Sequence, residues 1–184
     1  MDTHSRLTKK KGKKIIVVGE GGVGKTTLLR RSIDDVFIDS TAMTIGTDFF
    51  VKKGESSEKD IEKQPMLIWD FAGQDRFRFI LKDYLKGTEG VILCFNLVQS
   101  RSLRKLNGWI DLLKEGGIWE KENVKFFLVG TQNDLAKKNH EAISKKLIKK
   151  FMDDHNIKNY FRTSSLDNSG VKELFKQIDK HMFK

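Results

Sequence analysis

Cysteine is nearly missing from this sequence: among 184 residues only Cys94 occurs, inside the apolar stretch GVILCFN. A lone thiol in such a stretch reads as a small core residue in a reducing compartment, with a catalytic thiol a distant second. Long apolar runs are missing too, and none approaches the length of a membrane span. The N-terminal MDTHSRLTKKKGKK is basic, but no apolar region follows it, so it is not a secretory signal. There is no internal repeat, and the length points to one domain. The formal charge of +10 fits nucleic acid, an acidic membrane surface or simple solubility. No groove-reading motif accompanies it, so a nucleic-acid partner is not expected.

What is present suffices for a core: 38% of residues are hydrophobic and 13 are Phe, against 33% charged. Residues 1–12 have no periodicity and are expected to be a disordered basic tail, leaving 13–184 as the domain. Short apolar runs at Ile15–Val18, Phe49–Val51, Met66–Trp69, Val91–Phe95 and Lys125–Val129 predict strands, and Tyr160–Arg162 a further short one. All but Met66–Trp69 and the last are read as covered on both faces. Helical spacing links Leu103, Leu106, Ile110 and Leu113; then Ile143, Leu147 and Phe151; then Val171, Leu174, Phe175 and Ile178. Such alternation predicts an α/β domain with a mainly parallel sheet flanked by helices. The polar segment 54–64 is expected to be a hairpin loop.

Behind the first apolar run stands GEGGVGKTT, in which Gly19, Gly24, Lys25 and Thr26 match G-x-x-x-x-G-K-[ST]. Glycines let successive N–H groups, here over Gly21, Gly22, Val23, Gly24 and on to Thr27, converge on phosphate oxygens. A helix starting near Lys25 aims its positive end at the same charge. Lys25 reaches the β- and γ-phosphates, and the Thr26 hydroxyl ligates Mg²⁺. An ordinary glycine-rich turn is the bland alternative, and the strand-loop-helix context argues against it.

Asp70 ends the run LIWD, where a carboxylate holds magnesium, usually through a water. Gly73 offers an N–H where a side chain would clash with a γ-phosphate. Gln74 next to it is placed to orient a water for in-line attack.

At this point DFAGQDRFR (70–78) resembles the second switch of Ras-superfamily small GTPases, and Trp69 before it is usual in Rab-type members. MTIGTDF (43–49) resembles the Rab first switch. The resemblance implies a P-loop NTPase small G domain with a five- or six-stranded, mostly parallel sheet. It implies Thr44 as the γ-phosphate sensor and Mg²⁺ ligand beside Thr26 and Asp70. Gln74, Lys25 and Thr44 are then the catalytic residues.

The sequence TQND (131–134) resembles the family's N-K-x-D motif, with Thr131 and Gln132 as in some Rho-type members. The carboxylate of Asp134 would accept from guanine N1–H and the 2-amino group, a pattern adenine lacks. TSSL (163–166) is similar to the last family motif: Ser164 and the Ser165 N–H would contact the base, and Leu166 would cover the ring. Phe37 matches the aromatic that meets the guanine edge. Two departures stand in the first switch. Thr41 replaces a tyrosine that closes over the phosphates, and no arginine lies between Asp34 and Val51.

The resemblance implies GTP and GDP as substrate and product, Mg²⁺ as cofactor, and an exchange factor, a GTPase-activating protein and effectors as partners. Phe49, Trp69 and Tyr84 match an effector-face aromatic triad. Lys145, Lys146, Lys149 and Lys150 share a helix face that is a solvated surface or a contact for an acidic membrane. No C-terminal cysteine for prenylation is present, and Asp2 stands where myristoylation needs glycine. Taken as a whole chain, the protein is expected to be cytoplasmic, peripheral on membranes only by charge or through a partner. The expected function is a GTP-hydrolysing switch in trafficking or signalling. The alternatives are a nucleotide-bound adapter that hydrolyses GTP poorly and, further off, a P-loop kinase.

Overall fold

The computed structural model describes residues 12–35, 37, 43–54, 64–74, 79–138 and 142–183. Among these residues six strands occur in chain order: β1 (Lys13–Val18), β2 (Thr47–Lys53), β3 (Pro65–Phe71), β4 (Thr88–Asn96), β5 (Lys125–Thr131) and β6 (Asn159–Arg162). Among them lie α1 (Lys25–Asp34), α2 (Leu81–Tyr84), α3 (Ser100–Glu115), α4 (Asn133–Lys138), α5 (Lys145–Asp154) and α6 (Val171–Met182). One sheet in the order β2-β3-β1-β4-β5-β6 holds all six strands. Every neighbouring pair is parallel except β2 with β3, which is antiparallel and brings Lys53 opposite Pro65. That pairing is what a hairpin across 54–64 requires, although residues 55–63 themselves lie outside the described ones, as do residues 1–11, Thr41, Arg76 and Arg78.

The period of two along the strands divides the core into two layers. Ile16, Val18, Val91, Leu93, Phe95 and Leu128 face α3 and α5, meeting Leu103, Leu106, Trp109, Ile110, Leu113, Ile148 and Phe151. Ile15, Val17, Ile92, Cys94, Phe127 and Val129 face the other way, onto Leu28 and Leu29 of α1 and Val171, Leu174, Phe175 and Ile178 of α6. Cys94 is wholly buried, and burial pushes its thiol up to about 12, so it is inert packing. Truncating one of these fully buried leucines to alanine costs about 2–5 kcal/mol, transfer and cavity together.

Two expectations are corrected. Phe49–Val51 is not covered on both faces: β2 is an edge strand, and Phe49 and Val51 are half exposed on its open side. An apolar run of three cannot distinguish a central strand from an edge one. On α5 the buried positions are Ile148 and Phe151, while Leu147 stays 40% exposed among the lysines. The helix begins only after Ser144, whose hydroxyl accepts from Leu147 N, so Ile143 precedes it; Ile143 and Phe151 reach the core as expected, and only Leu147 does not.

Candidate nucleotide-binding site

The C-terminal ends of β1, β3 and β5 and the turn after β6 open into one cleft of ≈ 790 Å³. This is where an open parallel sheet of this kind holds ligands. Gly24 closes the loop after β1 and is the residue before α1, with φ 91°, a left-handed conformation that side chains disfavour. Lys25 is only 6% exposed, and its Nζ donates to the carbonyls of Gly19 and Glu20, each at 3.0 Å. Burial holds its ammonium below the ordinary lysine value, and Asp70 opposes this most.

Thr26, Thr44 and Asp70 meet although they are far apart in sequence. The Thr26 and Thr44 hydroxyl oxygens lie 2.9 Å apart, and Thr26 Oγ1 donates to Asp70 Oδ2. Asp70 has no solvent exposure, and burial lifts its carboxyl to about 6 despite the pull of Lys25 and the Thr26 hydrogen bond. Its Oδ1 is buried with no hydrogen-bond partner among the described residues. One carboxylate with a free oxygen beside two hydroxyls is a donor set suited to a magnesium that keeps waters and phosphate oxygens as its other ligands. No cluster of three or more His, Cys, Asp or Glu able to hold a metal occurs among the described residues.

Gly73 sits directly on the phosphate loop. A Cβ there would fall 2.2 Å from Gly21 N and 2.3 Å from Glu20 C, so backbone, not a flexible side chain, demands glycine. The clash named from sequence, with a γ-phosphate, is thus preceded by one with the protein itself. Gln74 lines the cleft, and its Nε2 donates to Met43 Sδ at 3.6 Å.

At the far end, Asp134 lines the cleft and Ser164 Oγ donates to its Oδ1 at 2.6 Å. Thr131 Oγ1 sits 2.6 Å from Val23 O and 2.9 Å from Phe95 O, tying β5 to the phosphate loop and β4. Gln132 takes a left-handed φ of 57° and accepts from Asn96 Nδ2 at 2.8 Å. Gly21, Gly22, Thr27, Phe37, Ser165 and Leu166 also line the cleft. Val23 and Ser164 do not line it: the Val23 side chain is in the core and Ser164 is fully buried. Sequence reasoning missed Arg30, Met43, Ile45, Asp48 and Leu135, which line the cleft as well. Arg30 was legible as the residue one helical turn after Thr26. The others depend on how the segment before β2 and the turn after β5 fold back.

On the opposite side of β3, Phe49 and Trp69 pair across β2 and β3 with ring centroids 4.7 Å apart. Tyr84 packs edge-on against Phe71 at 5.6 Å. Lys14 Nζ lies 4.6 Å from the Trp69 ring centroid and 6.0 Å from that of Tyr84, so a cation bridges these two aromatics.

The Ras family pattern matches residues 14–184. This chain belongs to the Ras family. It is 35% identical over 162 residues to the Ras-related protein RABD2b of Arabidopsis thaliana, covering 88% of this chain and 76% of that one. It is 32% identical over 169 residues to the GTP-binding protein ypt1 of Schizosaccharomyces pombe, covering 92% and 79%. With the Ras-related protein Rab-18 of Lymnaea stagnalis it shares 36% over 165 residues, covering 90% and 77%. The six-stranded α/β sheet is that of a small G domain, and the protein is a small GTPase of Rab type that hydrolyses GTP. The kinase is thereby set aside. Among the described residues no helix is long and apolar enough to cross a membrane.

Proposed function

We propose that this small GTPase reads guanine with Asp134, binds Mg²⁺ through Thr26, Thr44 and Asp70, and uses Gln74 to place the attacking water. The observation that carries the reading is the joining of two polar sets in one cleft. The Thr26–Thr44–Asp70 cluster with Lys25 lies at one end, and the Ser164-braced Asp134 lies at the other. A phosphate chain fits the first set and a purine edge the second.

In this reading Lys25 and the N–H groups opening α1 bind the phosphate chain and stabilise charge that builds on the transferring phosphoryl group. Bound magnesium would neutralise phosphate charge and lower the energy of the leaving oxygen. Gln74 accepts a proton-side contact from water and orients it in line. Thr44 senses the γ-phosphate, so the segments around it and around Gln74 order together when GTP is bound. Thr131 and Gln132 do the work that asparagine and lysine do in N-K-x-D: Thr131 ties the loop to β5, and Gln132 is held by Asn96. These contacts support the Rho-like T-Q-x-D as the guanine motif in this reading.

The half-exposed Phe49, with Trp69 and Tyr84, supports an effector face that responds to nucleotide state, with an exchange factor and a GTPase-activating protein completing the cycle. Kinship with Rab-type proteins supports a role in membrane trafficking. The exposed Lys145, Lys146, Lys149 and Lys150 of α5, with Leu147 among them, support weak contact of a cytoplasmic protein with acidic membrane. The test is to identify the nucleotide that co-purifies and follow its single-turnover conversion with and without Mg²⁺. Guanine nucleotide, with hydrolysis lost on chelation, is the expected result. Adenine nucleotide, or turnover indifferent to Mg²⁺, overturns the reading.

A further inference from the structure

Met43 immediately precedes Thr44 and lines the cleft with Gly21 and Gln74. Its side chain is 59% exposed, and its Sδ accepts from Gln74 Nε2 at 3.6 Å. A Cβ built on Gly21 would lie 3.5 Å from Met43 Cε and 3.9 Å from Gln74 Cγ. The thioether and the glutamine therefore stand side by side over the same phosphate-loop residue. We propose that Met43 is a positioning residue for Gln74, holding the amino end of its carboxamide so that the carbonyl end is free to meet water. This rests on the role given to Gln74 above.

The chemistry is one of donors and acceptors. A carboxamide has two donors on nitrogen and acceptor capacity on oxygen, whereas a thioether sulfur only accepts, and weakly. Sulfur in contact with the amide thus selects the nitrogen and leaves Oε1, which has no partner among the described residues, as the end available to a water proton. Glutamine is among the side chains that lose most rotamer freedom on ordering, so even a weak tether removes part of that loss before the reaction. The methionine stem is unbranched and flexible, which lets the contact form and part as the two segments move. The tether links the segment carrying Thr44 to the segment carrying Gln74.

The test is single-turnover GTP hydrolysis by the full chain with Mg²⁺, comparing the parent, Met43→Leu, Gln74→Leu and the double variant, with GTP and GDP affinities measured for each. Leucine keeps apolar bulk over Gly21 but cannot accept a hydrogen bond. Met43→Leu is expected to slow hydrolysis by about three- to tenfold with affinities unchanged, and to have no further effect on the Gln74→Leu background. Met43→Gln, which restores an acceptor, is expected to recover part of the rate. The inference is overturned if Met43→Leu hydrolyses at the parent rate or faster, or if it slows both backgrounds equally. Hydrolysis by Gln74→Leu as fast as the parent would instead remove the role of Gln74, and this inference with it.

Discussion

Ser164 donates its hydroxyl proton to Asp134 Oδ1 over 2.6 Å from a position with no solvent exposure. The carboxylate proposed to read the base is thus oriented from beneath. Removing a hydrogen bond to a charged group costs about 1.5–3 kcal/mol, so Ser164→Ala should weaken GDP binding by roughly 10- to 100-fold. Asp134→Asn should lose guanine and gain xanthine, because the exchanged donor now meets a carbonyl. Titration calorimetry with GDP, XDP and ADP checks both; undiminished GDP binding by Asp134→Asn removes Asp134 from base recognition.

Lys25→Met keeps the apolar stem and removes the buried charge. Triphosphate affinity should fall by at least about 100-fold, the scale of a lost charge-assisted contact in a desolvated site. Thermal stability without nucleotide should not fall, since burial already disfavours the ammonium. A nucleotide-free melt and a binding curve together decide the matter.

Gly73→Ala and Gly21→Ala should part company. The first puts a Cβ within 2.2 Å of phosphate-loop backbone, and the second makes only ordinary contacts, the nearest at 3.5 Å. Overpacking against rigid atoms costs about 1–3 kcal/mol, so Gly73→Ala should lower the melting temperature by several degrees and weaken nucleotide binding. Gly21→Ala should melt close to the parent. Equal melting temperatures would show that the loop yields.

Asp70 gives the nucleotide-free protein a pH dependence. Its carboxyl is lifted by burial to about 6 in the fold from an ordinary 3.8, so between those values the folded chain keeps a proton that the unfolded chain has lost. Stability from this group is full below the lower value, falls as pH rises through about 6, and is flat above; the loss is on the order of 3 kcal/mol. Asp70→Asn should abolish that slope and stabilise the nucleotide-free chain at pH 7, while weakening Mg²⁺-dependent nucleotide binding. Urea unfolding between pH 4 and 8 in both proteins measures it, and a slope that survives the substitution assigns it to other groups.

Membrane contact should be weak and salt-sensitive. Each lysine near an anionic surface contributes about 1 kcal/mol, screened as ionic strength rises. Reversing Lys149 and Lys150 to Glu should remove flotation with acidic vesicles at low salt and leave GTP hydrolysis unchanged. Flotation that persists at high salt would require an apolar contact instead.

Much of this protein was determined by sequence alone, because the relevant physics is local. A loop of glycines before Lys25 and Thr26 carries its phosphate chemistry in consecutive residues, and the apolar runs at 15–18, 91–95 and 125–129 are buried strands wherever they are placed. The alternation of those runs with helical spacing also set the α/β class. Other features arise only when distant segments meet. That Phe49 and Val51 lie on an open edge follows from β3 being the only partner of β2 among the described residues. That Leu147 faces water follows from where Ser144 starts α5. That Gly73 must be glycine follows from its approach to Gly21, and that Ser164 braces Asp134 rather than lining the cleft follows from how the turn after β6 folds beneath α4. That Met43, the first residue of MTIGTDF, and Asp48 line the cleft depends on how the segment before β2 folds back. Local patterning specifies which segments are strand, helix and phosphate loop; only packing in three dimensions specifies which side chains face each other and which groups lose their water.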